Sequence, residues 1–120
     1  GLTVTALQLF LKDEKAEDAL KGPVRALLEL HGKQAESNRQ RNTLYQQRNL
    51  LNREAMRIRR NLNALPLAKV ANKLRKQLLV QLKTNSTKAA VVAKTLVENE
   101  VQRAADKERL ITLLRSVSLK

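Results

Sequence analysis

The sequence lacks cysteine and tryptophan and has one histidine, two prolines, three glycines and two aromatic residues. Without cysteine, a disulfide scaffold, cysteine-ligated zinc and thiol chemistry are excluded. The scarcity of turn-forming and aromatic residues argues against a β-sandwich or barrel. No apolar run reaches the roughly 18 residues that a membrane span requires. No stretch reads as a signal peptide, so we expect a cytoplasmic protein unless a signal lies outside this chain.

The sequence also lacks the residue patterns of catalysis. His31 is the only histidine, and no acidic residue stands at a spacing that would orient it as a base, so we expect it to pack. Glu98 and Glu100 fall on different faces of a predicted helix and do not form a carboxylate pair. Glycine-rich phosphate loops and zinc-finger spacings are missing as well. We therefore expect a non-enzymatic protein with no catalytic residue, no cofactor and no metal site.

At 120 residues the chain is expected to form a single domain, residues 1–120, and its two prolines divide it. Proline disfavours helical geometry in the residue before it and is accepted in the first turn of a helix. Pro23 and Pro66 therefore predict an all-α fold with a short N-terminal helix in 1–22 and long helices in 23–65 and 66–120. The polar segment from Asp13 to Asp18 is a point at which the first helix can divide.

Apolar residues at heptad spacing predict that the two long helices pack along their length. In the second helix the two series are Leu44, Leu51, Ile58, Leu65 and Arg48, Ala55, Leu62, with Leu27 and Leu30 on the same seam. The segment from Lys33 to Thr43 between them is polar on every side. In the third helix we expect the facing stripe to be Leu67, Val70, Leu74, Leu78, Leu82, then Ala89, Val92, Ala93, Leu96, and finally Leu110, Leu113, Leu114, Val117.

The short connection at Pro66 makes the two long helices antiparallel neighbours. We therefore predict a long helical hairpin, with a polar interruption at 83–88 that can kink its third helix. The N-terminal helix packs on the base of the hairpin, which becomes a three-helix bundle, while the tip is a two-helix coiled coil.

Positive charge is concentrated in the projecting half of this predicted hairpin. The chain has 24 basic and 11 acidic residues, a net charge of +13, and from Arg39 to Lys94 there are fourteen basic residues and one acidic residue. A solvated coiled-coil surface would explain many charges, but such surfaces usually alternate in sign. Like-charged neighbours favour contact with a polyanion instead. The candidate polyanion-binding residues are Arg53, Arg57, Arg59, Arg60, Lys69, Lys73, Arg75 and Lys76.

Nucleic acid is the favoured polyanion, ahead of an anionic membrane surface. With Tyr45 as the only aromatic residue near the tip, we expect recognition through shape and phosphates rather than bases. The alternative hypothesis is a structural or oligomerising coiled-coil segment of a larger protein. Its partner would be another helical protein or a second copy, contacted through the heptad seam.

The run from Leu51 to Leu65, with the pattern arginine, isoleucine, arginine, x, asparagine, leucine at 57–62, resembles the helical region of bacterial mucoidy-inhibitor-type proteins. The resemblance covers most of the chain and implies two long helices joined by a short break. The chain departs from that family in lacking its β-rich domains and in having fewer glutamates. The basic hairpin is also similar to the helical arm of seryl-tRNA synthetases, which implies contact with tRNA, although no synthetase catalytic motif is present.

Overall fold

The computed structural model describes residues 4–15 and 18–118, and these form helices and turns without a strand. Helix α1 spans Val4–Lys12, α2 spans Asp18–Ala64 and α3 spans Asn72–Ser118, with a 3-10 turn at Lys69–Ala71 before α3. The two long helices pack against each other, and the all-α helical hairpin expected from the sequence is confirmed.

The chain divides into two compact units. We call Gly1–Gln40 together with Asn99–Lys120 the terminal unit, and Arg41–Glu98 the hairpin unit. In the terminal unit α1 packs on both long helices, as predicted, around the buried side chains of Leu7, Val24 and Leu27. Partly buried side chains complete this core: Phe10, Leu11, Leu28, Leu110, Leu113, Leu114 and Val117.

The predicted boundary between 22 and 23 is wrong, because α2 begins at Asp18 and contains Pro23. The break comes earlier, where the Asp13 side chain accepts a hydrogen bond from the Lys15 amide at 2.9 Å and so favours a turn over continued helix. Pro23 lies close to the start of α2, so its missing amide removes a single early main-chain hydrogen bond. The helix tolerates that loss because the surrounding side chains, including Val24, pack into the core.

The connection between the long helices confirms one prediction and corrects another. Helix α2 ends at Ala64 as expected, since Leu65 precedes Pro66 and is disfavoured in helical geometry. Helix α3 begins only at Asn72, after the 3-10 turn. Leu67 and Val70 therefore lie in the connection, 96% and 88% exposed, and their predicted place on the buried stripe is wrong.

The buried stripe of α3 follows a heptad spacing over almost its whole length. One series at seven-residue intervals is buried or half-buried throughout and comprises Ala71, Leu78, Asn85, Val92, Asn99, Asp106 and Leu113. A second series is half-buried throughout and comprises Arg75, Leu82, Ala89, Leu96, Arg103, Leu110 and Val117. Leu74 and Ala93, which we placed on the stripe, are exposed because they flank these two series.

The predicted seam of α2 is largely confirmed. Of its two series only Arg48 is exposed, and its guanidinium lies 4.7 Å from the centre of the Tyr45 ring. The segment from Lys33 to Thr43 was expected to be polar on all sides. It keeps the heptad spacing with the half-buried polar residues Gln34, Ser37 and Arg41.

Two buried asparagines set the pairing of the long helices. Asn85 donates a hydrogen bond to the Leu51 carbonyl at 2.9 Å, and Asn99 donates one to the Ser37 carbonyl at 3.1 Å. The two donors are two heptads apart in α3, and the two acceptors are two heptads apart in α2. The donor that comes later in the chain, Asn99, pairs with the acceptor that comes earlier, Ser37. Both bonds therefore specify one antiparallel register. Helix α3 continues through the polar interruption at 83–88, where Asn85 belongs to the seam.

We predict that replacing Asn99 with leucine raises the free energy of unfolding by about 1 kcal/mol, because the buried Oδ1 atom of Asn99 has no hydrogen-bond partner. The Ser37 carbonyl keeps its helical amide partner, so the substitution leaves no new unpaired group. Urea denaturation of both proteins measures the difference. Asn85→Leu is the matched control and should raise the free energy of unfolding by less. A lower stability for Asn99→Leu would show that the buried amide stabilises the helix pair.

Candidate nucleic-acid interface on the hairpin unit

The hairpin unit carries most of the net charge of the protein. Between Arg41 and Glu98 the chain has thirteen basic residues, whereas Glu54 and Glu98 are its only acidic residues. Eleven of the thirteen basic side chains are exposed; Arg41 and Arg75 are half-buried. The heptad seam explains most of this exposure, since ten of the thirteen basic residues fall outside its series and so face solvent.

The basic side chains of the hairpin unit have no acidic partners. The three ion pairs among residues 4–15 and 18–118 all lie in the terminal unit: Lys21–Asp18 at 3.3 Å, Arg39–Glu36, and Arg103–Glu100 at 3.2 Å. All of the hairpin unit is described, and it contains none. Its positive charge is therefore neutralised only by solvent and counterions.

Seven of the eight predicted contact residues form an exposed cationic cluster around the turn. Arg53, Arg57, Arg59 and Arg60 lie in the last three turns of α2, Lys69 lies in the 3-10 turn, and Lys73 and Lys76 lie at the start of α3. The connection brings these two groups to the same end of the hairpin unit. We call these seven residues the turn cluster.

Arg75, the eighth predicted residue, has a structural role in the connection between the long helices. Its guanidinium donates one hydrogen bond to the Asn72 side chain at 2.6 Å and another to the Pro66 carbonyl at 2.7 Å. Arg75 is half-buried and belongs to the inward series of α3, seven residues before Leu82. That heptad position was a signal in the sequence that separates Arg75 from its neighbours. Through its two hydrogen bonds, Arg75 joins the connection to the first turn of α3.

An apolar groove lies on one flank of the hairpin unit. It has a volume of about 480 Å³ and is lined by Gln47, Leu50, Leu51, Thr87, Lys88, Val91 and Val92. Leu50 and Val91 are 62% and 60% exposed, although they are large aliphatic residues. Heptad spacing does not predict this groove, because both residues fall beside the heptad series.

Outside the hairpin unit, His31 and the acidic residues are the other candidates for a functional site. His31 is half-buried in the terminal unit, without an ion pair to any described carboxylate. In the described ranges no three histidine or acidic side chains gather in a way that would hold a metal ion. None of the helices described is both long enough and apolar enough to cross a membrane.

Comparison of the chain with protein-family models, with curated proteins and with solved structures finds no match. The function proposed below therefore depends on the geometry and charge of the hairpin unit.

We predict that Arg75→Gln lowers the free energy of unfolding by about 1 kcal/mol, because two hydrogen bonds from a charged donor are lost at the turn. Lys73→Gln removes the same charge from an exposed side chain without a hydrogen bond and should change stability little. Urea denaturation of the two variants in parallel makes the comparison. Equal effects would contradict a fastening role for Arg75.

Proposed function

We propose that the protein is a non-enzymatic helical module whose hairpin unit binds the phosphates of nucleic acid through the turn cluster. The observation that carries this proposal is the absence of ion pairs throughout Arg41–Glu98, despite thirteen basic residues. Neighbouring cations one helical turn apart repel each other, and this repulsion opposes folding of the hairpin. An anionic polymer removes the repulsion and releases its own counterions when it binds.

The distribution of charge favours a linear polyanion. Exposed basic residues continue beyond the turn cluster along both helices, through Arg48 on α2 and through Lys83, Lys88 and Lys94 on α3. The α2 part of the hairpin unit is about 35 Å long, at about 1.5 Å per residue. A nucleic-acid strand can follow such a track, whereas a membrane that meets the turn reaches only the residues nearest to it.

A charge-reduced variant tests the proposal. Arg57→Gln, Arg60→Gln and Lys73→Gln together are expected to weaken binding of a fluorescent oligonucleotide by about tenfold or more and to reduce the salt slope by about three. Fluorescence anisotropy from about 50 mM to about 200 mM salt measures both quantities. The matched control removes three exposed cations from the terminal unit, Lys33→Gln, Lys107→Gln and Arg109→Gln, and should have a smaller effect.

Two outcomes would overturn the nucleic-acid assignment. One is the absence of binding to single-stranded and duplex oligonucleotides at the lowest salt concentration. The other is binding to vesicles of anionic lipid alone. In that case the exposed Leu67 and Val70 beside Lys69 would be the membrane-contacting residues, and Leu67→Ser would reduce vesicle binding.

As a second candidate we propose an oligomerising role, which the exposed apolar groove favours. The heptad seam packs α2 on α3 inside one chain. Association of two copies therefore requires another surface, and the groove around Leu50 and Val91 is apolar enough to supply it.

Self-association through the groove is tested by light scattering over a range of protein concentrations. If the protein forms dimers, Leu50→Ser with Val91→Ser is expected to shift it to monomers, because the apolar area that drives association is lost. Leu79→Ser with Val80→Ser is the control, since both residues are exposed in the hairpin unit but lie outside the groove. A parent protein that is monomeric at every concentration would contradict this candidate.

A further inference from the structure

One exposed face of α2 in the hairpin unit is rich in asparagine. Residues three or four apart share a helical face, and Asn42, Asn49, Asn52 and Asn63 fall into such a series. In order along α2 this face carries Asn42, Tyr45, Asn49, Asn52, Met56, Arg59 and Asn63, all of them exposed. We call it the amide face. Heptad spacing does not predict this face, because it identifies only the inward positions.

These amides have no function within the fold that the structure shows. Asn85 and Asn99 use their side-chain amides to donate across the seam, and Asn72 accepts a hydrogen bond from Arg75. None of the four asparagines of the amide face makes a side-chain hydrogen bond in the described part of the chain. Asparagine is a poor residue for the interior of an exposed helix. Their presence there indicates a use outside the chain.

The amide group suits the edge of a nucleic-acid base. An asparagine side chain offers a donor and an acceptor side by side, so that it can make paired hydrogen bonds to a base such as adenine. Tyr45 lies on the same face and adds an aromatic ring for stacking. The Arg48 guanidinium lies over one side of this ring, 4.7 Å from its centre. Arg59 lies on the face and Arg60 beside it, where they reach the phosphates of a strand whose bases meet the amides.

Stacking on Tyr45 favours a single strand over a duplex. The bases of a duplex are stacked on one another, whereas the unstacked bases of a single strand can stack on an aromatic ring. The major groove of an RNA helix is in addition too narrow for side chains to read. Unpaired bases can turn towards an exposed face without this restriction.

We propose that the amide face binds the bases of a single-stranded nucleic acid while neighbouring turn-cluster arginines bind its phosphates. The inference depends on the proposed function, because it assigns the substrate class of the same hairpin unit. In this inference the bases contribute to the affinity for the oligonucleotide, in addition to the contribution from its phosphate charge. The protein therefore distinguishes an oligonucleotide with bases from an abasic one of equal length and charge.

The test compares a single-stranded adenine-rich oligonucleotide with an abasic oligonucleotide of the same length, both measured by fluorescence anisotropy. The parent protein is expected to bind the strand with bases about tenfold more tightly. Asn42→Ala, Asn49→Ala and Asn52→Ala together should remove most of this difference and leave abasic binding and the salt slope unchanged. Alanine favours helix, so the variant retains its fold, which circular dichroism verifies.

A matched variant replaces three exposed amides outside the amide face, Gln47→Ala, Asn61→Ala and Gln81→Ala, and should keep the preference for bases. Equal affinity of the parent protein for both oligonucleotides would overturn the inference while leaving the proposed function intact. Loss of the preference in the matched variant would also overturn it. Binding to neither oligonucleotide would instead contradict the proposed function.

Discussion

The packing of α2 on α3 is the interaction on which the rest of the structure depends. Long helices with this many charges are only marginally stable in water by themselves, and their stability comes from the side chains that they bury against a neighbour. The seam buries Ile58 and Leu78 in the hairpin unit and Leu27 and Leu30 in the terminal unit. Because the seam uses only two of every seven positions, most positions on each helix are free to carry groups for a partner.

The seam also fixes which groups face outwards, and the buried asparagines are central to this. A purely aliphatic seam tolerates several registers, whereas a buried amide that donates to one carbonyl favours a single register. Asn85 and Asn99 specify the same register from two units of the chain. The positions of the turn cluster and of the amide face therefore follow from hydrogen bonds made inside the helix pair.

Much of this fold can be predicted from the sequence, because the prolines and the heptad spacing of apolar residues agree with the helix packing. The end of α2 at Ala64 and the buried Ala55 and Ile58 were predictable from Pro66 and from heptad spacing. The start of α2 was not, because proline near a helix N-terminus costs little and core contacts decide the outcome. Asn85 falls outside the stripe predicted from apolar spacing, because that spacing counts only apolar residues. The eight candidate cations were chosen by charge, which did not distinguish the hydrogen-bonded Arg75 from its solvated neighbours.

The contrast in charge between the two units shows that the helix pair of the hairpin unit does not depend on ion pairs. The terminal unit forms three ion pairs, which are at most weakly stabilising on a surface. The hairpin unit uses the same seam without any. Its like-charged neighbours lie one helical turn apart, about 6 Å, which is within the Debye length of about 8 Å at physiological salt. Solvent ions therefore screen their repulsion incompletely, and under the proposed function a bound polyanion relieves what remains. The same excess of charge that weakens the free hairpin strengthens the complex that we propose.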